Sequence, residues 1–163
     1  MVVVMGVSGS GKTTIAVLLA ELLGWELADA DDFHSPASLE KMVNGISLTD
    51  EDRWPWLYAI AAWIDEARRT GRRGIVTCSA LKRSYRRILI GERHDVRLVY
   101  LKGDKQLIAQ RLSKRRGHFM PTALLQSQFD TLEEPGPEED PIIVSVAAQP
   151  AAIVERVRAE LKV

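Results

Sequence analysis

A parallel α/β sandwich, five strands covered by helices on both faces, is the fold this sequence predicts. Three observations predict it. Short apolar, β-branched runs recur along the chain, amphipathic helical patterns separate them, and polar or glycine-rich turns fall where strand gives way to helix. At 163 residues, 46% hydrophobic and 27% charged, the chain has the size and composition of a single globular domain.

The first run, residues 2–5, reads as a buried strand, and Ile15, Leu18, Leu19 and Leu22 mark the apolar face of a helix that Gly24 stops. "WELAD" gives a short strand ending near Asp29. Residues 36–44, after Ser35-Pro36, suit a short helix, and a long helix is expected near Pro55, because proline is tolerated in a first turn. Its buried face carries Leu57, Ile60, Ala61 and Ile64. "GIVTCSA" is a third, fully buried strand, and Leu81, Tyr85, Ile88 and Leu89 line the helix after it. "VRLVYLK" makes the fourth strand. Asp104 can cap a helix running toward Arg116, Ile142 to Val146 form the fifth strand, and Ile153, Val157 and Leu161 place the last helix. Two stretches interrupt the repeat, about 32–53 and about 115–141. Both are expected as inserts of one domain, a substrate-binding insert and a lid, over the carboxyl ends of the strands where ligands gather in such sheets.

Between the first strand and its helix stands "GVSGSGKTT": Gly6, Val7, Ser8, Gly9, Ser10, Gly11, Lys12, Thr13 and Thr14. Backbone N–H groups of such a turn converge on phosphate oxygens, and the helix N-terminus adds its positive end. The spacing matches G-x-x-x-x-G-K-[ST], in which the lysine reaches the β- and γ-phosphates and the hydroxyl ligates Mg²⁺. The predicted fold is therefore a P-loop NTPase, a three-layer α/β/α sandwich. Lys plus Arg and Asp plus Glu both number 22, so charge gives no argument for nucleic acid or an acidic membrane as partner. The lone Cys78 excludes a disulfide framework, no apolar run approaches the roughly 20 residues that span a bilayer, and a cytoplasmic location is expected.

The phosphate cradle is common to kinases, switches and motors, so other residues must decide among them. The third strand ends without a carboxylate, which leaves "DADD" to supply the acid near Mg²⁺. Asp29 and Asp31, at i and i+2, point the same way if extended. One can orient Mg²⁺ through water and the other can accept a proton from a substrate hydroxyl; a solvated acidic turn has the same composition. Arg111 and Arg115, four apart, share a helix face and, with Arg116, Gly117 and His118, suit a cover that brings guanidinium groups to the nucleotide. A solvated helix end has that pattern too. Trp54, Trp56 and Trp63 read as packing residues and Cys78 as a small buried one.

Five segments, "GVSGSGKTT", "DADDFH", "GISLTDEDRWPWL", "CSALKRSYR" and "RRGHFMPTALLQSQFDTLEEP", occur in this order almost from end to end, and together they resemble the small, shikimate-kinase-like gluconokinases. The resemblance implies ATP- and Mg²⁺-dependent phosphorylation of D-gluconate to 6-phosphogluconate, commonly by a homodimer. It implies Asp31 as general base and Asp29 near the metal, His34 and Arg53 with Lys82 and Arg86 around the sugar acid, Arg111 against adenine and Arg115 on phosphate. An arginine fork suits the sugar carboxylate, and Asp31, His34 and His118 can pair with polyol hydroxyls. One departure stands out: the family pattern expects Asp-Gly-Asp followed by apolar residues, whereas "DADDFH" adds Asp32, which has no assigned role. Kinases of shikimate or nucleoside monophosphates, and a nucleotide-binding switch, are the alternatives. The chain lacks the adenylate-kinase "DGYPR" signature and the N-K-x-D guanine motif.

Overall fold

A computed structural model describes residues 1–115 and 122–163. β1 (Val2–Met5) leads into α1 (Lys12–Leu23), then β2 (Glu26–Asp29), a 3₁₀ turn at Ala30–Phe33, α2 (Pro36–Val43) and α3 (Asp50–Arg69). β3 (Gly74–Thr77), α4 (Arg83–Leu89), β4 (Arg97–Lys102), α5 (Lys105–Ser113) and α6 (Thr122–Thr131) follow, and β5 (Ile142–Ser145) with α7 (Pro150–Leu161) completes the chain.

All strands are parallel, in the order β2-β3-β1-β4-β5. From β1 the chain runs to the edge strand β2, returns through β3 beside β1, and then crosses to the other side for β4 and β5. The carboxyl end of β1 is thus the switch point, where an open parallel sheet leaves a crevice for ligand. Side-chain alternation along β1 builds both cores: Val2 and Val4 pack with Ile15, Leu19, Ile153 and Val157, while Val3 and Met5 pack with Leu57, Ile60 and Leu89. Helices α1 and α7 therefore cover one face and α3 and α4 the other. The expected three layers and five strands are present.

The long helix starts at Asp50, five residues before the expected point. Thr49 caps it: its hydroxyl accepts from the Asp52 N–H at 3.1 Å, and the Asp52 carboxylate accepts from the Thr49 N–H at 2.9 Å. This reciprocal box satisfies two orphan donors, and Asp50, Glu51 and Asp52 add negative charge at the positive helix end. Pro55 then lies past the first turn and costs one backbone bond. The consequence is functional, because Arg53 is carried on a rigid helix.

Two further differences concern the expected lid. The helix capped by Asp104 ends at Ser113, and the stretch 116–121, with Gly117 and His118, lies outside the described residues. After it comes α6, which was not expected; Leu125 and Phe129 dock it on Ile108 and Leu112 of α5. The acidic tail beyond α6 is a strap, not a free loop. The Glu133 N–H donates to the Leu81 carbonyl at 2.8 Å, the Glu133 carboxylate accepts from the Arg83 N–H at 2.9 Å, and Glu134 accepts from the Tyr100 hydroxyl at 3.0 Å.

Candidate active site

The loop from Gly6 to Thr13 connects β1 to α1 at the switch point. Gly9 has φ of 82° and Gly11 of 94°, in the left-handed region that favours glycine. A Cβ on Gly9 would also lie 2.7 Å from Leu112 Cγ, so α5 closes against the loop there. Lys12 bends back over the loop and donates to the carbonyls of Gly6 at 2.9 Å and Val7 at 3.1 Å. Burial pushes its ammonium pKa down, with Asp31 and Asp29 among the groups that oppose the shift. A half-buried cation held over two loop carbonyls is well placed to meet anionic phosphate oxygens.

β2 ends at Asp29, whose carboxylate accepts the Asp31 N–H at 2.9 Å and so caps the 3₁₀ turn. Asp31 lies in that turn and not on an extended strand. The turn, rather than the two-residue alternation of a strand, brings the acids together. Desolvation at the cavity wall, and then the charge of Asp29, raise the Asp31 carboxyl above the ordinary carboxylate range. With 79% of its side chain open to solvent, that shift is screened.

The acids and the phosphate loop open onto a common cavity of about 510 Å³, lined by Lys12, Thr13, Asp29, Asp31, Thr77 and Ser79 among others. A second cavity, about 350 Å³, lies on the α7 side of the loop and is lined by Arg111, Ala148 and Ile153. Gly9, Gly11, Thr14 and Arg115 border both. Arg111 donates to the Val146 carbonyl at 2.5 Å. The two arginines therefore converge on the loop although the helix ends between them.

His34 stands behind the first cavity. Its ring stacks on Trp56 with centroids 4.4 Å apart, and its Nε2 is 3.9 Å from an Asp31 oxygen. Burial, mainly, lowers its pKa. The Trp56 indole donates to the Ala30 carbonyl at 2.6 Å and lines the cavity, which ties α3 to the acidic turn.

One turn before Trp56, Arg53 donates to the Tyr85 hydroxyl at 3.0 Å; Tyr85 donates to Asp50 at 2.5 Å, and Lys82 donates to both Asp50 oxygens at 3.1 and 3.2 Å. The Tyr85 bond and the Lys82 ammonium hold the Asp50 carboxyl below its usual range. This quartet, where α3 and α4 begin, does not line the main cavity, whereas Trp56, three residues beyond Arg53 on α3, does. Asp50 and Tyr85 were missed from the sequence, although Asp50 stands in the capping segment next to Arg53.

Arg86 requires a correction. It is only 2% exposed, donates in a fork to Glu139 at 2.7 and 3.1 Å, and donates again to the carbonyls of Ala80 and Leu81 at 2.9 and 3.1 Å. Its donors are committed to the strap and the turn after β3, so it is a structural residue and not a substrate contact. His118 lies outside the described residues.

Residues 1–135 match the family described as AAA domain. The gluconokinase of Gluconobacter oxydans (strain 621H) is 48% identical over 94% of this chain and 86% of that protein. The chain belongs to the gluconokinase family. Among solved structures, a sugar kinase from Janibacter sp. HTCC2649 superposes with a TM-score of 0.90 at 50% identity, covering 99% of this chain and 93% of that one. A gluconokinase from Sinorhizobium meliloti 1021 gives 0.88 at 43% identity, covering 99% and 90%. This gluconokinase-family chain therefore carries its fold over essentially its whole length.

Proposed function

We propose that the chain transfers the γ-phosphoryl group of ATP to the 6-hydroxyl of D-gluconate, giving 6-phosphogluconate and ADP. The observation that carries this reading is the shared cavity: a phosphate loop on one wall, two carboxylates on the other, and the Arg53–Lys82 quartet beside them. Family membership supports the same acceptor.

In this reading the loop amides and Lys12 hold the triphosphate, Arg111 borders the base and Arg115 reaches phosphate. Arg53 and Lys82 hold the sugar carboxylate, and His34 supports the polyol from behind Asp31. Asp31 accepts the hydroxyl proton as the O6–P bond forms and the bond from phosphorus to the ADP oxygen breaks. The oxygen donors at Thr13 and Asp29 fit a hard cation, and among the described residues no group of three or more His, Cys, Asp or Glu side chains forms a protein cage. Thr13 and Asp29 would hold Mg²⁺ there, and the ion would supply charge neutralisation for the phosphoryl group in transfer. Single-domain action and a homodimer belong to the same proposal; light scattering reads the second. Among the described residues no helix is long and apolar enough to cross a membrane.

A coupled assay for ADP release with gluconate, shikimate and AMP tests the acceptor. Gluconate alone should raise turnover, and release that ignores all three would return the chain to the switch reading. Arg53→Ala is expected to raise the KM for gluconate through loss of a charge-assisted pair of about 1.5–3 kcal/mol, roughly 10- to 150-fold, with the KM for ATP unchanged. An unchanged gluconate KM would assign the carboxylate to another cation.

A further inference from the structure

The segment "LLQSQFDTLEEP" contains a side chain to which neither the fold nor the proposed reaction gives a task. Gln128, on α6, reaches the phosphate loop 120 residues earlier in the chain. The Ser8 N–H donates to Gln128 Oε1 at 2.7 Å, and Gln128 Nε2 donates to Ser8 Oγ at 3.0 Å. One carboxamide thus satisfies the backbone donor and the hydroxyl of the same loop residue. Ser8 lines the main cavity together with Lys12 and Asp31.

The support behind Gln128 is firm. Leu125 and Phe129, on either side of it in sequence, pack with Ile108 and Leu112, and Leu112 closes on Gly9 one residue after Ser8. The loop is therefore gripped at consecutive residues, by a polar contact from α6 and an apolar one from α5. A loop with three glycines at positive φ is expensive to order, at about 1–2 kcal/mol of backbone entropy per residue. Restraints made before ligand arrives reduce that cost at the moment of binding.

We propose that Gln128 is a positioning residue for the phosphate cradle: its double hydrogen bond to Ser8 sets the third residue of the loop in register for the triphosphate. Helix α6 thereby controls nucleotide affinity and the alignment of the transferred group without touching either substrate. This rests on the nucleotide-binding reading of the loop and not on the identity of the acceptor.

The test uses the full chain, with Gln128→Leu, Ser8→Ala and the double variant. Binding of a non-hydrolysable ATP analogue with Mg²⁺ is measured by calorimetry without acceptor, alongside kcat, both KM values and the thermal midpoint. Gln128→Leu should weaken analogue binding about tenfold, two hydrogen bonds being lost, and Ser8→Ala about threefold. The double variant should be no worse than Gln128→Leu, since both changes remove the same pair. The KM for the acceptor should stay within about twofold and the thermal midpoint within a few degrees. Wild-type nucleotide affinity in Gln128→Leu, additive losses, or a change confined to the thermal midpoint would overturn the proposal. If Gln128→Leu does not fold, Ser8→Ala decides, and unchanged affinity there counts against it. Failure to phosphorylate gluconate would overturn the acceptor assignment alone, because the binding measurement contains no acceptor.

Discussion

Asp31→Asn is expected to lower kcat by about 10²- to 10⁴-fold while the affinity for ATP stays within about twofold. Asn keeps the shape of the side chain and leaves the Asp31 N–H bonded to Asp29, so the turn that lines the cavity survives. What it removes is the carboxylate facing the phosphate loop, the group assigned to take the hydroxyl proton. Steady-state kinetics with gluconate, together with calorimetric ATP binding, separate the two effects, and near-normal turnover would remove Asp31 from the base role. The same group predicts a pH dependence. Its pKa is raised, so kcat/KM should hold at neutral pH and fall as pH drops through a value above the ordinary carboxylate range. Desolvation is the first cause of that shift and the charge of Asp29 the second. Asp29→Asn should therefore move the acid limb to lower pH. A limb that stays in place would show that another group titrates.

Arg86→Ala is expected to destabilise the fold by about 3–5 kcal/mol, the range for removing one partner of a buried ion pair. The Arg86 side chain is 1% exposed and that of Glu139 15%, so the variant leaves a carboxylate with little water to replace the guanidinium. It also strips the donors from the carbonyls of Ala80 and Leu81, at the turn that leads from β3 into α4. Arg86→Lys should recover little, because one ammonium cannot reproduce the planar fork. Urea unfolding at pH 7 measures the loss; a change below 1 kcal/mol would mean that the strap holds without the pair. The sign with pH follows from Glu139. Burial by itself would raise its carboxyl, but the Arg86 bonds and charge bring it below its usual value. The pair's contribution is thus present above the ordinary carboxylate range and lost as pH falls through the lowered value. The stability gap between wild type and variant should narrow in acid.

Much of this molecule is written in short-range pattern. The loop spacing, the apolar runs and the helical faces of α1 and α7 are legible because each rule acts within one or two turns of chain. The start of α3 was legible too, in Thr49 and Asp52 three residues apart, but Pro55 drew the boundary away. The repeat of Leu125, Phe129 and Leu132 held the signal for α6.

By itself, then, the sequence determined the parallel sandwich, the phosphate cradle and the acids after the second strand, since backbone geometry and hydrophobic periodicity are local. Tertiary structure alone decided that Arg86 is buried on Glu139, that Asp50 and Tyr85 bind Lys82 and Arg53, and that Gln128 braces Ser8. Those pairs lie 32 to 120 residues apart. A charged or polar side chain carries no local mark of its partner, and whether an arginine meets substrate or seals a strap depends on what the folded chain brings within hydrogen-bond distance.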